Sequence, residues 1–430
     1  MRVPTTRMGV ALIAAAVLIV VAGAVIVMRP GGRVVPTRAP VAIGTPAAVA
    51  AASAVASPTV AFSVAPSVAS VAPVAPVAPS GGSAQAGFAP VSVTFVSSEE
   101  GWVLGTAPCA GGGCTAIRRT TDGGQTWTAV GAPATPLSQG PVQPGSTPGI
   151  MGLRFADPRD GWAYGPDLWA THDGGTSWHR VTIPGLSASA VIDALEALGG
   201  TVTAVAYDVA VASPDGGVRI ASSPVGSDAW TLAPTQVPLG AGPVSQAQLV
   251  LAGDAGWIVE VDRIVVGGAR LVGGAWSAWT TPCSDVHGSA VLAAASPSEL
   301  VAACDGGLWG HPANPAEQGE HLYVSHDGGA TFAETGGTVP LQEPLIASPV
   351  SGTIVVGRGQ LLVASFDRGQ TWRNVLDLAP PAFITYLGFT TLSQGVAIAD
   401  ESTGTNQRAG ALFMTRDGGH TWAKVSLPGG

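Results

Sequence analysis

The sequence predicts an all-β fold: a single seven-bladed β-propeller of four-stranded blades, preceded by an N-terminal transmembrane helix and a disordered linker. Three observations predict it. An eight-residue motif ending in an aromatic returns along the chain at a steady period. A Gly-Trp signature precedes it in several periods. The composition combines 59 glycines and 12 tryptophans with only 11% charged residues, as many short strands joined by tight turns require.

The motif comes first. Thr120-Thr-Asp122-Gly-Gly124-Gln-Thr126-Trp127 returns as Thr171-His-Asp173-Gly-Gly175-Thr-Ser177-Trp178. It appears again as Ser325-His-Asp327-Gly-Gly329-Ala-Thr331-Phe332 and Ser365-Phe-Asp367-Arg-Gly369-Gln-Thr371-Trp372. The last copy is Thr415-Arg-Asp417-Gly-Gly419-His-Thr421-Trp422. Between Trp178 and Phe332 there is room for two degenerate copies, and Trp230 and Trp279 stand where their closing aromatics are needed. The series then steps by 51, 52, 49, 53, 40 and 50 residues, which makes seven units.

The second signature supplies the other strands. Phe95-x6-Trp102-Val-x-Gly105 matches Phe155-x6-Trp162-Ala-x-Gly165, and Gly256-Trp257 repeats the Gly-Trp turn in the fourth unit. Each unit reads as an apolar strand, a turn, a Gly-Trp strand, a third strand, the Asp-Gly-Gly turn and a fourth strand. Four strands in 40–50 residues is the length of a propeller blade. The residue types of the motif serve this structure. Glycines permit the positive φ of a tight connection, the Asp accepts hydrogen bonds from the turn's own amides, and the aromatic fills the gap between sheets.

The N-terminal residues 1–29 read as a cytoplasmic stub and membrane anchor. Gly9–Met28 is an uncharged run of 20 residues, long enough for one spanning helix. A cleaved signal peptide ending near Ala22-Gly23-Ala24 is the alternative, and it would make the protein secreted. Arginines on both sides leave the orientation undecided. Residues 30–87 form a Pro/Ala/Val-rich linker, semi-extended and reaching up to ~3.1 Å per residue. The propeller is assigned to 88–430, outside the cytoplasm.

Charge narrows the partners. Five arginines are the only charged residues before Glu99, so 14 of the 19 basic residues face all 28 acidic ones, a net charge of −14. That surface excludes nucleic acid. The four cysteines, Cys109, Cys114, Cys283 and Cys304, make no metal or redox pattern. Cys109 with Cys114 and Cys283 with Cys304 are candidate disulfide pairs, which suits an oxidising compartment.

The repeated eight residues resemble the Asp-box, or BNR repeat, of sialidases, sortilin-type receptors, xyloglucan-cleaving glycosidases and photosystem II assembly-factor propellers. The combination with Phe-x6-Trp-Ala-x-Gly looks most like the photosystem II stability/assembly factor group. The resemblance implies a propeller over 88–430 and an extracytoplasmic location, while the motif itself serves unrelated activities. The motif residues themselves are read as structural from their residue types.

Catalysis is then tested on residues. The sialidase Arg-Ile-Pro signature is absent, Phe88-Ala-Pro90 being nearest, and Tyr164, Tyr207, Tyr323 and Tyr386 lack a nucleophile context. A two-carboxylate glycosidase could draw on Asp157, Asp160, Asp193, Asp208, Asp254, Glu260, Asp262, Asp285 or Asp400. His311, Glu317, Glu320, His321 and His326 cluster around blade five without zinc-ligand spacing. No catalytic residue, cofactor or metal is therefore assigned. The expected function is a binding or assembly scaffold for a protein or glycan ligand in the cell envelope, with Gly131–Ile150 and Gly310–Glu320 as candidate binding loops. The alternative is a glycan-binding module or glycoside hydrolase.

Overall fold

The computed structural model describes residues 87–110, 112–138, 148–208, 218–234, 246–262, 264–284, 289–305, 320–341, 345–403 and 408–427. The expected anchor, Gly9–Met28, and the linker lie outside these residues. Among the described residues no helix is long and apolar enough to cross a membrane.

Twenty-eight strands form seven four-stranded antiparallel sheets, each made of four consecutive strands. The blades cover 89–130, 152–180, 190–232, 246–278, 290–339, 345–377 and 383–425. First strands of successive blades lie next to one another around the ring, and blade 7 packs on blade 1. Closure borrows no strand. The first strand of blade 1 (Ala89–Phe95) pairs within its own sheet, and the ring closes on packed side chains: Phe88, Val93, Val103 and Trp127 against Val396, Ile398, Leu412 and Met414.

The core is correspondingly divided into seven apolar layers, one at each junction between blades. A sheet with both faces against neighbouring sheets must bury both, which is why its second strands read as near-continuous apolar runs. The Gly-Trp signature follows from that packing. Phe95 lies opposite Gly101, Phe155 opposite Gly161 and Phe389 opposite Gly395. A Cβ on Gly101 would come within 2.5 Å of the Phe95 ring, so only glycine lets the aromatic lie across the neighbouring strand.

The aromatic that closes each motif points toward the preceding blade. Trp178 packs into the layer between blades 1 and 2, Trp230 between 2 and 3, and Trp422 between 6 and 7. In blade 4 the expected assignment of Trp279 is corrected. Its third and fourth strands join through a two-residue turn, Gly273-Gly274, with φ of 59° and 79°. Trp276 fills the layer toward blade 3, whereas Trp279 follows the fourth strand and turns toward blade 5. The number of units stands, and the register of that copy shifts by three residues.

Candidate binding channel and loop face

The Asp-Gly-Gly turns satisfy themselves. In blade 1 the Thr120 hydroxyl donates to Asp122 Oδ1 (2.8 Å) and accepts from the Gly124 amide (2.8 Å). Asp122 also accepts from the Thr126 amide (2.9 Å) and hydroxyl (2.5 Å). The same set recurs around Asp173, Asp327, Asp367 and Asp417. The Thr126 hydroxyl and then its amide hold Asp122 down to about 2, as Ser177 does for Asp173 and Thr371 for Asp367. At Asp417 burial pulls upward, and hydrogen bonds from Thr421 outweigh it to leave the group at about 2. Asp327 is lowered in the same way by Thr331. With their oxygens committed to their own turns, these carboxylates are held ionised as structural acceptors.

The turns also fasten blades together. Trp102 of blade 1 donates from Nε1 to the Gly174 carbonyl in the turn of blade 2 (3.0 Å), and Trp257 of blade 4 to the Gly328 carbonyl of blade 5 (3.0 Å). Arg416 of blade 7 donates to the Gly123 carbonyl of blade 1. Blade 3 departs from the pattern: Ser223-Pro-Val225-Gly-Ser227-Asp228-Ala-Trp230 keeps the length but has valine in place of the aspartate. The corresponding Trp162 Nε1 is buried with no hydrogen-bond partner among the described residues.

Polar side chains on the first strands link neighbouring blades around the central channel. Ser92 Oγ accepts the Leu153 amide (3.1 Å), and Asp193 Oδ2 accepts the Ala247 amide (2.5 Å). The Gln248 amide group both donates to the Leu292 carbonyl (2.9 Å) and accepts from its N–H (2.8 Å). First strands diverge too far for a continuous ladder, and these side chains satisfy backbone groups that would otherwise be stranded. The space between the first strands of blades 3 to 7 is a cavity of about 510 Å³.

One charged cluster stands at this channel. Arg154 donates to Glu196 Oε1 at 2.6 Å, and the two side chains are 19% and 30% exposed. Tyr164, Asp193 and Tyr386 share its field. Burial raises Glu196, with Arg154 opposing, and raises Asp193 to about 6 with the Ala247 amide opposing. The first strand of blade 3 (Ala190–Leu198) bulges at Asp193, between the pairs Ala206–Ile192 and Val205–Ala194. Bulges re-aim side chains, and this one falls where the channel needs an acceptor. The cluster offers a paired cation, two carboxyl groups of raised proton affinity and two phenols, a set suited to holding a polar partner group.

The two ends of the ring differ. On the turn face, connections run to seven residues at most. On the other face lie the hairpins between second and third strands and the blade-to-blade connections, as long as residues 131–151, 233–245 and 306–319. This loop face carries both disulfides. Cys109–Cys114 closes the hairpin of blade 1, and Cys283–Cys304 ties the connection after blade 4 to the second strand of blade 5. The feet of the Gly131–Ile150 insert are fixed: Leu137 pairs with Ile150, both buried between blades 1 and 2. The Thr115 hydroxyl holds the Thr135 carbonyl (2.6 Å). The centre of that insert and most of Gly310–Glu320 lie outside the described residues.

The remaining sequence candidates do not assemble. Asp157 caps the turn amides of Arg159 (2.8 Å) and Asp160 (2.9 Å), and Asp400 accepts the Ser402 amide (2.8 Å). Asp254 sits in the turn after the first strand of blade 4. Glu260 is buried between blades. Asp285 and the side chains of Tyr207, Asp208 and Asp262 lie outside the described residues. Tyr323 packs beside the layer between blades 4 and 5. Of the blade-five group, Glu320 and His321 are neighbours on one strand and so point to opposite faces. His321 pairs with Glu334 (2.6 Å), while His326 sits in the turn at the strand's far end. His311 and Glu317 lie outside the described residues. A different group, His172, His179 and Asp228, does converge, with ligand-capable atoms within 4.8 Å of one another. It was missed because Asp228 lies 49 and 56 residues from the two histidines and in a different blade. Superposing the repeats finds them, since they occupy the second, ninth and sixth positions of adjoining motif units.

No protein-family model matches the chain, and no curated protein matches it. Among solved structures it is similar to YCF48 bound to a D1 peptide, at 20% identity and a TM-score of 0.50, covering 77% of this chain and 94% of that one. YCF48 from Cyanidioschyzon merolae gives 15% identity and a TM-score of 0.50, covering 77% and 96%. An ancestral GH74 enzyme gives 12% identity and a TM-score of 0.48, covering 79% of this chain and 46% of that one. At these identities the likeness to the two YCF48 structures shows the fold alone, in keeping with the seven sheets described above.

Proposed function

We propose that this chain is a non-catalytic binding scaffold whose partner, a protein segment of the cell envelope, docks on the loop face and reaches down the channel to the Arg154–Glu196 pair. The division of labour between the two faces carries this reading. The turn face spends its five motif carboxylates on its own short turns. The loop face carries the long connections, and the Arg154–Glu196 pair stands inside the channel, nearer its turn-face end. Loops on a rigid frame are where binding surfaces are built. A propeller of this fold accommodates a peptide in the YCF48–D1 structure. The channel carboxylates support binding over hydrolysis, because Asp193 is committed to the Ala247 amide and Glu196 to Arg154. We read the repeated turns as Asp-boxes and Gly9–Met28 as a single-pass anchor that holds the ring outside the cytoplasm on its Pro/Ala/Val-rich stalk.

The test is affinity capture from membranes with the full-length chain as bait, beside the Arg154→Ala variant. Recovery of a defined protein by the wild type, reduced in the variant, supports the scaffold. Recovery of polysaccharide alone, or glycan cleavage by the purified chain, overturns it. Protease applied to cells after wall removal tests the topology. Release of a resistant fragment beginning within residues 39–87 is expected, and protection until the membrane is broken refutes the assignment.

A further inference from the structure

The junction of blades 2 and 3 carries a cluster of a different kind. His172 is the second residue of the motif in blade 2, and His179 follows its closing tryptophan. Asp228 is the sixth residue of the degenerate copy in blade 3. At the junction of blades 6 and 7 the same three positions are held by Phe366, Arg373 and His420. There Phe366 stacks on His420 with ring centroids 3.8 Å apart, and the Arg373 guanidinium lies 4.4 Å from the Phe366 centroid. The repeat thus brings these three positions together by construction, and the chemistry depends on which side chains occupy them.

We propose that His172, His179 and Asp228 form a binding site for a divalent transition metal, zinc being the reference ion. His179 Nε2 lies 2.6 Å and His172 Nε2 3.4 Å from Asp228 Oδ2. Ligands of a tetrahedral zinc, each about 2.0–2.2 Å from the ion, stand about 3.4 Å apart, the separation His172 Nε2 already has from Asp228 Oδ2; the His179–Asp228 contact opens to admit the ion, with all three ligand atoms within 4.8 Å of one another. Two imidazoles and one carboxylate suit zinc, nickel, copper or cobalt rather than the oxygen-seeking magnesium or calcium. The orientation of His172 is set from behind: its Nδ1 lies 2.5 Å from Asp160 Oδ1, and Asp160 sits in a turn capped by Asp157. A carboxylate on the far nitrogen directs Nε2 into the site and strengthens it as a ligand.

The position gives the metal a purpose. At the junctions of blades 1 with 2 and 4 with 5 a tryptophan Nε1 crosses to a turn carbonyl. At the junction of 2 with 3 the matching Trp162 finds no partner among the described residues, and the turn has lost its aspartate to Val225. A metal held by two ligands of blade 2 and one of blade 3 clamps a junction whose tryptophan lacks this bond. His179 is 53% exposed, so the fourth coordination position opens to solvent.

The test uses full-length protein without a polyhistidine tag, with zinc chloride as probe. Calorimetry and metal content after dialysis read the uptake, and a cobalt(II) absorption spectrum reads the geometry. The expected result is one zinc per chain and cobalt bands of tetrahedral intensity. The His172→Ala/His179→Ala double variant should abolish both. His179→Ala alone, at an exposed position, and Asp160→Asn should each weaken binding 10–100-fold. An unchanged near-ultraviolet circular dichroism spectrum in His179→Ala shows that the ring is intact. Equal uptake by wild type and double variant, or no uptake by the wild type, overturns the proposal.

Discussion

Trp102 of blade 1 donates its indole N–H to the Gly174 carbonyl of blade 2, whereas Trp162, its counterpart one blade on, is equally buried and has no such acceptor among the described residues. The two residues differ in that bond and in the ring contacts of Trp102, which stacks on Phe155 at 3.8 Å beneath the Arg119 guanidinium and which a phenylalanine can keep in part. The acceptor depends on the motif in the following blade, present after blade 1 and lost after blade 2.

Trp102→Phe should destabilise the protein more than Trp162→Phe. Both remove the same volume from a buried layer, but only the first leaves the Gly174 carbonyl unsatisfied. The expected excess is about 1 kcal/mol. Urea midpoints of the two variants measured side by side would show it, and equal midpoints would remove the inter-blade bond as a source of stability.

Arg368 stands where the other four complete motifs have glycine, and its φ is 65°. A left-handed conformation costs an L-residue roughly 1–2 kcal/mol. Glycine gives back part of that gain through a freer unfolded chain. Arg368→Gly should stabilise the protein by on the order of 0.5 kcal/mol, with the Arg368 N–H bond to the Gly352 carbonyl (3.0 Å) retained. A lower melting temperature for the variant would mean that the arginine side chain contributes more than its backbone costs.

The motif carboxylates dictate an acid limit. In the folded chain Asp122, Asp173, Asp367 and Asp417 are held at about 2, below the ordinary 3.8. Between those values the unfolded chain binds more protons, so stability is complete above about pH 4 and is lost as pH falls toward 2. Melting temperatures from pH 6 to pH 2.5 should fall steeply below 4. Asp173→Asn/Asp417→Asn should melt lower at pH 6 and show a shallower acid slope. An unchanged slope would mean that other groups drive acid unfolding.

The repeat made the fold readable, because a blade must restate its strand pattern to bury both faces. Asp122 and its equivalents announce their turns by residue type alone. Blade 4 was harder, since Gly273-Gly274 replaces the eight-residue turn and leaves two tryptophans, Trp276 and Trp279, three positions apart as candidates for one role. The channel cluster was not legible at all. Arg154, Glu196 and Tyr386 belong to blades 2, 3 and 7, and only ring closure with a bulge at Asp193 sets them around one space. The His172–Asp228 relation lies between these cases: local in each repeat, visible only when the repeats are superposed.

Glu260 predicts the opposite limb of the pH profile. It lies on the second strand of blade 4, between Ala247 and Gly267 on the strands either side, and is fully buried. Two residues from Ile258, it shares the face turned toward blade 3. Neither carboxyl oxygen has a partner among the described residues. Burial raises the group from 4.5 to about 8, so the folded chain keeps a proton that the unfolded chain releases. Stability is therefore complete below about pH 4.5 and falls as pH rises toward 8. Asp193, raised to about 6, adds a loss of the same sign between 3.8 and 6. Combined with the motif carboxylates, which fail below 4, the maximum should lie near pH 4–5 rather than at neutrality. Glu260→Gln keeps the shape and cannot ionise. It should flatten the decline between pH 6 and 9 and melt above wild type at pH 9, while leaving the acid slope unchanged. A wild-type melting temperature that stays level from pH 5 to 9 would show that Glu260 finds a compensating partner and that its burial costs nothing as an anion.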